Sequence, residues 1–189
     1  MRTSIALTAL LASALTTLPA AAQQGSEDEP ARATERVAEG QPRYLAAMRE
    51  ELSAMNIRGA ECEALDSQRA QCRFTLRGIS TAREFTVHAV YSDRTDTIYL
   101  YIERFVVVPP NGATTDAVLR RMMELNWDFL LGKLEWDSTD GEVRLAMILN
   151  TDSNFDRRAF RSSVRSIGQL ADRYWGELDR LVRADRPGE

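Results

Sequence analysis

The sequence predicts an α+β fold, an antiparallel sheet with its helices packed on one side, in the order α-β-β-β-β-α-β-β-α. Three observations carry that prediction. Apolar residues recur every three or four positions in three stretches, and these flank and divide runs in which apolar and polar residues alternate. Short polar turns join the alternating runs, as antiparallel hairpins require. The last helical stretch, from about Phe155 to Val182, would extend about 40 Å at ~1.5 Å per residue, enough to cross a whole sheet.

The first helix is read in "RYLAAMREELSAMN", where Leu45, Met48, Leu52 and Met55 form one side and Arg49, Glu50 and Glu51 the other. After Gly59 the period changes to two. "ECEAL" and "AQCRFTLRG" then read as a hairpin with Cys72, Phe74 and Leu76 on one face and Arg73, Thr75 and Arg77 on the other. "REFTVHAVYS" follows as a third strand that gathers Phe85, Val87, Ala89 and Tyr91, and "SDRTD" turns the chain back. The fourth strand, "TIYLYIERFVVVP", carries Ile98, Leu100, Ile102, Val106 and Val108 on one face and Tyr99, Tyr101, Phe105 and Val107 on the other. Apolar groups on both faces mark a central strand, or one whose second face meets a partner. Pro109 and Pro110 end it, since neither supplies the amide donor a ladder needs.

"NGATT" opens a second helix, with Thr114 or Thr115 as N-cap and Val118, Met122, Leu125 and Phe129 as its buried stripe. After Gly132, "KLEWDSTDGEVRLAMILNTD" reads as a hairpin turned at Asp140-Gly141, a pair suited to the positive backbone angles of tight turns. Val143, Leu145, Met147 and Leu149 alternate beyond it. The final helix carries Phe160, Val164, Ile167, Ala171, Tyr174, Leu178 and Leu181 at helical spacing.

The opening "MRTSIALTALLASALTTLPAAAQQ" has one cation at Arg2, an uncharged apolar run from Ile5 to Leu18 and an Ala-x-Ala ending at Ala22. That is the layout of a secretory signal peptide, and the run falls short of the ~20 residues of a spanning helix. Cleavage after Ala22 is expected, giving a periplasmic or secreted protein with no stable membrane insertion. Residues 23 to 41 hold only Val37 as a sizeable apolar group and read as a flexible linker. Residues 42 to 183 form the α+β domain, of ordinary single-domain size, and 184 to 189 a disordered tail. The signal segment holds one of the 24 basic residues and none of the 28 acidic ones, so the mature balance is 23 against 28. A mildly acidic chain has no overall electrostatic reason to bind nucleic acid or anionic lipid.

Cys62 and Cys72 flank a polar stretch between two strand-like runs. In an oxidising compartment a structural disulfide is expected, with two free thiols as the alternative, and the spacing is not the Cys-x-x-Cys of a redox pair. His88 is the single histidine, too few for a metal site or a serine-type triad, so it reads as an ordinary strand residue and neither metal nor cofactor is implied. "DSTDGE" resembles a calcium loop, but if Asp137 is first its glycine comes one place early, and a hairpin turn explains the same residues. Among 28 acids no pair is singled out for acid-base work. Asn126 lies at the edge of the second helix's stripe, where an amide can tie the helix end to a neighbouring backbone.

The run "LNWDFLLGKLEWDSTDGEVRLAMILN", followed by a long helix containing "LADRYWGELDRLV", resembles the YbjN-like family of bacterial proteins. The matching positions are Asn126, Lys133, Asp140, Gly141, Tyr174 and Trp175, and the resemblance spans residues 42 to 183. It implies a fold similar to the type III secretion chaperones, proteins that are not enzymes and work as small dimeric binders of extended polypeptide. The signal peptide and the cysteine pair set this chain apart from cytoplasmic members and speak against a role before export.

These readings converge on a non-catalytic exported binding or regulatory module. Tyr99, Tyr101 and Phe105 on the sheet face would be the contact for a protein or peptide, or for a second copy in a homodimer. Two alternatives stand beside it. An exported hydrolase with a carboxylate pair requires a deep pocket of clustered acids, and a structural subunit of an envelope assembly requires large stable oligomers.

Overall fold

Two-residue alternation and helical periodicity resolve into nine elements in the computed structural model, which describes residues 40–152 and 154–184. The expected signal peptide, most of the linker and the last five residues lie outside the described residues. The elements are α1 (Leu45–Ala54), β1 (Glu61–Ala64), β2 (Arg69–Arg77), β3 (Glu84–Ser92), β4 (Thr97–Val107), α2 (Thr115–Asp128), β5 (Lys133–Trp136), β6 (Glu142–Asn150) and α3 (Arg157–Arg183). The six strands form one sheet in the order β1-β2-β3-β4-β6-β5. Every neighbouring pair is antiparallel.

Alternation decides which strand residues meet the helices. Ala70, Cys72 and Phe74 of β2, Val87, Ala89 and Tyr91 of β3, Ile98 and Leu100 of β4 and Val143 and Leu145 of β6 are all buried. They share one core with Met48 and Leu52 of α1, Val118 and Leu125 of α2, and Phe160, Val164 and Ile167 of α3. Side chains such as Leu100 and Ile167, at 0% exposure, each contribute about 1.5–3 kcal/mol by leaving water. Helix α3 packs on β4 and β6 and also touches α1 and α2, so the three helices form one layer. Among the described residues no helix lies on the other face. The α+β order and one-sided layering are those the sequence predicts.

Strand β4 departs from simple alternation. Between Ile102 and Val106 it advances four residues while β6 advances two, from Leu145 to Val143. Arg104 takes a left-handed backbone (φ 47°), and its amide donates to Glu142 Oε1 at 3.2 Å. The bulge turns the residues within it, while Val106 and Val108 beyond it keep the core facing of Ile98, Leu100 and Ile102. Phe105 is therefore 3% exposed and packs against Phe85, ring centroids 6.2 Å apart. Uninterrupted alternation places it beside Tyr99 and Tyr101, and the structure corrects that placement.

Loop chemistry fixes the remaining boundaries. Thr114 occupies the N-cap position of α2 but makes no capping bond with its side chain; the Thr115 hydroxyl instead donates to the Pro109 carbonyl at 2.5 Å. The β5–β6 connection is wider than a two-residue turn, with Gly141 N–H donating to the Asp137 carbonyl at 2.8 Å. Only Gly141 of the Asp-Gly pair has a positive φ, 77°, and a Cβ there would collide with the Val108 carbonyl. At the start of α3 the Asp156 carboxylate accepts from Ala159 N–H at 2.8 Å, an N-cap bond. Cys62 and Cys72 are register partners on β1 and β2 and form a disulfide, with Cα atoms 4.0 Å apart.

Candidate functional site: the open face of the sheet

The face turned away from the helices is built by the other half of each alternating strand. Register places His88 of β3 opposite Tyr101 of β4, Ala146 of β6 opposite Tyr101, and Ile148 opposite Tyr99. The His88 and Tyr101 rings stack at 4.9 Å with a 10° interplanar angle, and Tyr101 continues onto Tyr99 at 5.1 Å and 28°. The result is a three-ring ladder along the centre of the face. Ala146 is fully buried, flanked by its register partners Tyr101 and Lys133. Ile148 remains 57% exposed beside Tyr99.

Charged side chains frame the ladder. The Arg144 guanidinium sits 5.1 Å from the Tyr101 ring centre, a cation–π distance, and also donates to Glu142 Oε1 at 2.8 Å. That hydrogen bond raises the Arg144 pKa and is the main cause that lowers the Glu142 carboxyl. The Tyr99 hydroxyl donates to Glu135, which Lys133 Nζ approaches at 2.6 Å. Burial, reinforced by the Glu135 bond, pushes the Tyr99 phenol up, and burial does the same for Tyr101. For Glu135, burial acts to raise the carboxyl, yet the bonds from Lys133 and Tyr99 leave it below its ordinary value.

His88 is 7% exposed. Its Nδ1 is hydrogen-bonded to the Gln71 side-chain amide at 3.1 Å, which leaves the other ring nitrogen, Nε2, toward Glu103. That Nε2 is 3.3 Å from Glu103 Oε1 without a well-aligned hydrogen bond. The histidine is thus a member of the ladder, tied to Gln71 through Nδ1 and stacked on Tyr101. Isolated strand reading misses this role, although the hairpin over residues 93–96 sets the pairing that brings His88 to Tyr101.

A shallow depression of about 280 Å³ at one end of the face is lined by Glu135, Trp136, Asp137, Ser138, Glu142 and Arg144. All three of its carboxylates are engaged and held below their ordinary pKa. A general acid for hydrolysis requires the opposite shift. Asp137 accepts from both the amide and the hydroxyl of Thr139, at 2.8 and 2.7 Å, which accounts for the calcium-like motif as a turn.

Asn126 is architectural. Its Nδ2 donates to the Leu134 carbonyl at 3.1 Å and its Oδ1 accepts from Leu134 N–H at 2.7 Å. The side chain thereby pairs with the outer edge of β5 as a neighbouring strand would. Tyr174 packs on Phe129 at 5.2 Å, and Trp175 lies under Arg83 at 4.2 Å.

No protein-family model and no curated protein sequence matches this chain. The backbone is similar to a chain in the structure described as "Crystal Structure of the ExsC-ExsE Complex", with a TM-score of 0.48 and 14% identity over 75% of this chain and 97% of that one. At that identity no side-chain role transfers between the two.

Proposed function

We propose that this chain is a non-catalytic exported binding module of the YbjN-like kind, which engages an extended protein segment through the open face of its sheet. The observation that carries the reading is the helix-free His88–Tyr101–Tyr99 ladder, with Ile148 exposed beside it. Half-buried aromatic rings with a cation over one of them suit a partner that stacks and hydrogen-bonds. Tyr99 and Tyr101 are the contact residues in this proposal; Phe105 supports them from the core. The lowered carboxyls of Glu135, Asp137 and Glu142 favour this reading over a hydrolase.

The test is site-specific photocrosslinking in envelope extracts, with the photoreactive residue at Ile148 and, as control, at the exposed Ser53 on α1. A discrete protein adduct from position 148 alone, lost in Tyr99→Ser/Tyr101→Ser, is the expected result. Equal adducts from both positions, or persistence in the double variant, would sink the proposal. Light scattering on the same variants distinguishes the homodimer: a doubled mass that halves with the substitutions identifies the occupant as a second copy.

A further inference from the structure

The outer face of α3 concentrates positive charge in a chain whose net charge is −4. Helix α3 holds seven of the chain's 24 basic residues and three of its 28 acidic ones. At 3.6 residues per turn, Arg158, Ser162, Arg165, Gln169, Arg173, Gly176, Arg180 and Arg183 fall within a stripe about 80° wide. The helix's acids lie outside that stripe and are already engaged. Asp172 accepts from the amides of residues 79–81, Glu177 pairs with Arg121, and Asp179 pairs with Arg183 at 2.9 Å. Among the described residues Arg158, Arg165, Arg173 and Arg180 have no acidic partner, and together they span about 33 Å at ~1.5 Å per residue.

Apolar side chains stand on both flanks of this stripe. On one side a shallow groove lined by Arg165 and Gln169 carries Ile79, which is 96% exposed at the β2–β3 turn. On the other, a groove lined by Gln169 and Arg173 carries Leu130 and Leu131, 95% and 56% exposed. Asp128 and Asp172 are the acids of these two grooves, and the carboxylate oxygens of Asp172 are turned to the amides of residues 79–81. Unpaired arginines between nearly fully exposed aliphatic side chains on loop tips suit a planar, anionic, apolar-cored partner, with cations at headgroup level and the aliphatic tips below it. A folded acidic protein would need pockets of its own matched to both tips, whereas a bilayer takes apolar tips at any spacing. Among the described residues no helix is long and apolar enough to cross a membrane.

We infer that the outer face of α3, with Ile79 and Leu130 as apolar anchors, is a peripheral docking surface for an anionic phospholipid bilayer. It is independent of the open sheet face, and the mean acidity of the chain conceals it. The test is co-sedimentation of the purified full chain with phosphatidylglycerol/phosphatidylethanolamine vesicles and with phosphatidylcholine vesicles. Every variant shares the apolar run at residues 5 to 18, so differences between variants report on α3. Arg158→Gln/Arg165→Gln should weaken binding to the anionic vesicles about 25-fold, about fivefold per arginine, while Arg158→Lys/Arg165→Lys retains it. Ile79→Ser/Leu130→Ser should weaken it roughly a hundredfold, about tenfold for each aliphatic side chain, and circular dichroism confirms that each variant is folded. Unchanged binding by the glutamine variant overturns the inference, as does equal binding to phosphatidylcholine. So does binding of polyglutamate or duplex DNA without binding of vesicles.

Discussion

On the open face of the sheet, charges are matched to neighbours: Arg144 to Glu142 and the Tyr101 ring, Lys133 to Glu135, Glu135 to Tyr99. On the outer face of α3, four arginines project without acidic partners among the described residues. The difference has a geometric origin. A strand side chain has cross-strand neighbours about 5 Å away on the same face, so a sheet supplies partners to its own charges. The outward stripe of a helix has only its own i±3 and i±4 positions, and for these four arginines of α3 those are uncharged or arginine except for Glu177, which Arg121 of α2 already engages. The sheet face therefore arrives preorganised, whereas the helix face arrives charged and unsatisfied. Preorganised rings suit a specific contact, and unsatisfied cations suit a diffuse anionic one.

The sharpest way to break this picture is to ask which aromatic residues of β4 belong to the face at all. Phe105→Ala should cost about 3–5 kcal/mol in chemical denaturation, because it empties a core site against Phe85. Tyr101→Ala, which opens no core cavity, should cost about 1–2 kcal/mol, the worth of its stacking and packing. Comparable losses would return Phe105 to the open face and remove the bulge from the account. Next in size is Asn126→Ala, at about 1–3 kcal/mol, since it strips the amide and carbonyl of Leu134 of their partner. The same change should speed hydrogen exchange at Leu134, and an unaltered rate would deny the tie between α2 and β5.

These residues also show how far the sequence can be read. The nine elements follow from periodicity because a buried face must repeat at 2 or 3.6 residues. Asn126 is interpretable as a tie because a polar side chain at the edge of an apolar stripe needs local partners. Phe105 is not, since the bulge rests on a left-handed Arg104 held by Glu142 from β6, and no local pattern marks it. His88 needs the register of its hairpin before it can join the tyrosines. The arginine stripe is present in the spacings from Arg158 through Arg165 and Arg173 to Arg180, but net charge averages over the whole chain and hides segregation of this kind.

A smaller effect compares one arginine from each surface. Arg144→Ala should cost about 1 kcal/mol, combining a partly exposed ion pair with a cation–π contact. Arg165→Ala should fall within about 0.5 kcal/mol of the parent chain, as surface changes without partners do. Equal costs, measured as denaturant midpoints at constant slope, would mean that Arg165 has a partner in solution or that the Arg144 contacts add nothing.

The subtlest difference lies in pH. The Asp172 carboxyl is lowered from 3.8 to about 2, chiefly by the Ser80 and Thr81 amides. Those N–H groups donate to it at 2.8 Å each, with Ile79 N–H at 3.0 Å. A depressed native carboxyl means that the unfolded chain binds more protons between the two values, so stability falls as pH falls through that window. The contribution is complete above about pH 4 and gone below about pH 2. Asp172→Asn lacks this titration, so its stability gap from the parent chain should be constant above pH 4 and narrow steadily toward pH 2. Exchange at the amides of residues 79–81 should rise in the variant, while the Tyr99–Tyr101 segment of β4 stays protected. A gap that ignores pH throughout would show that the loop bearing Ile79 is held by packing, and one flank of the arginine stripe would then owe its position to the core rather than to a charge.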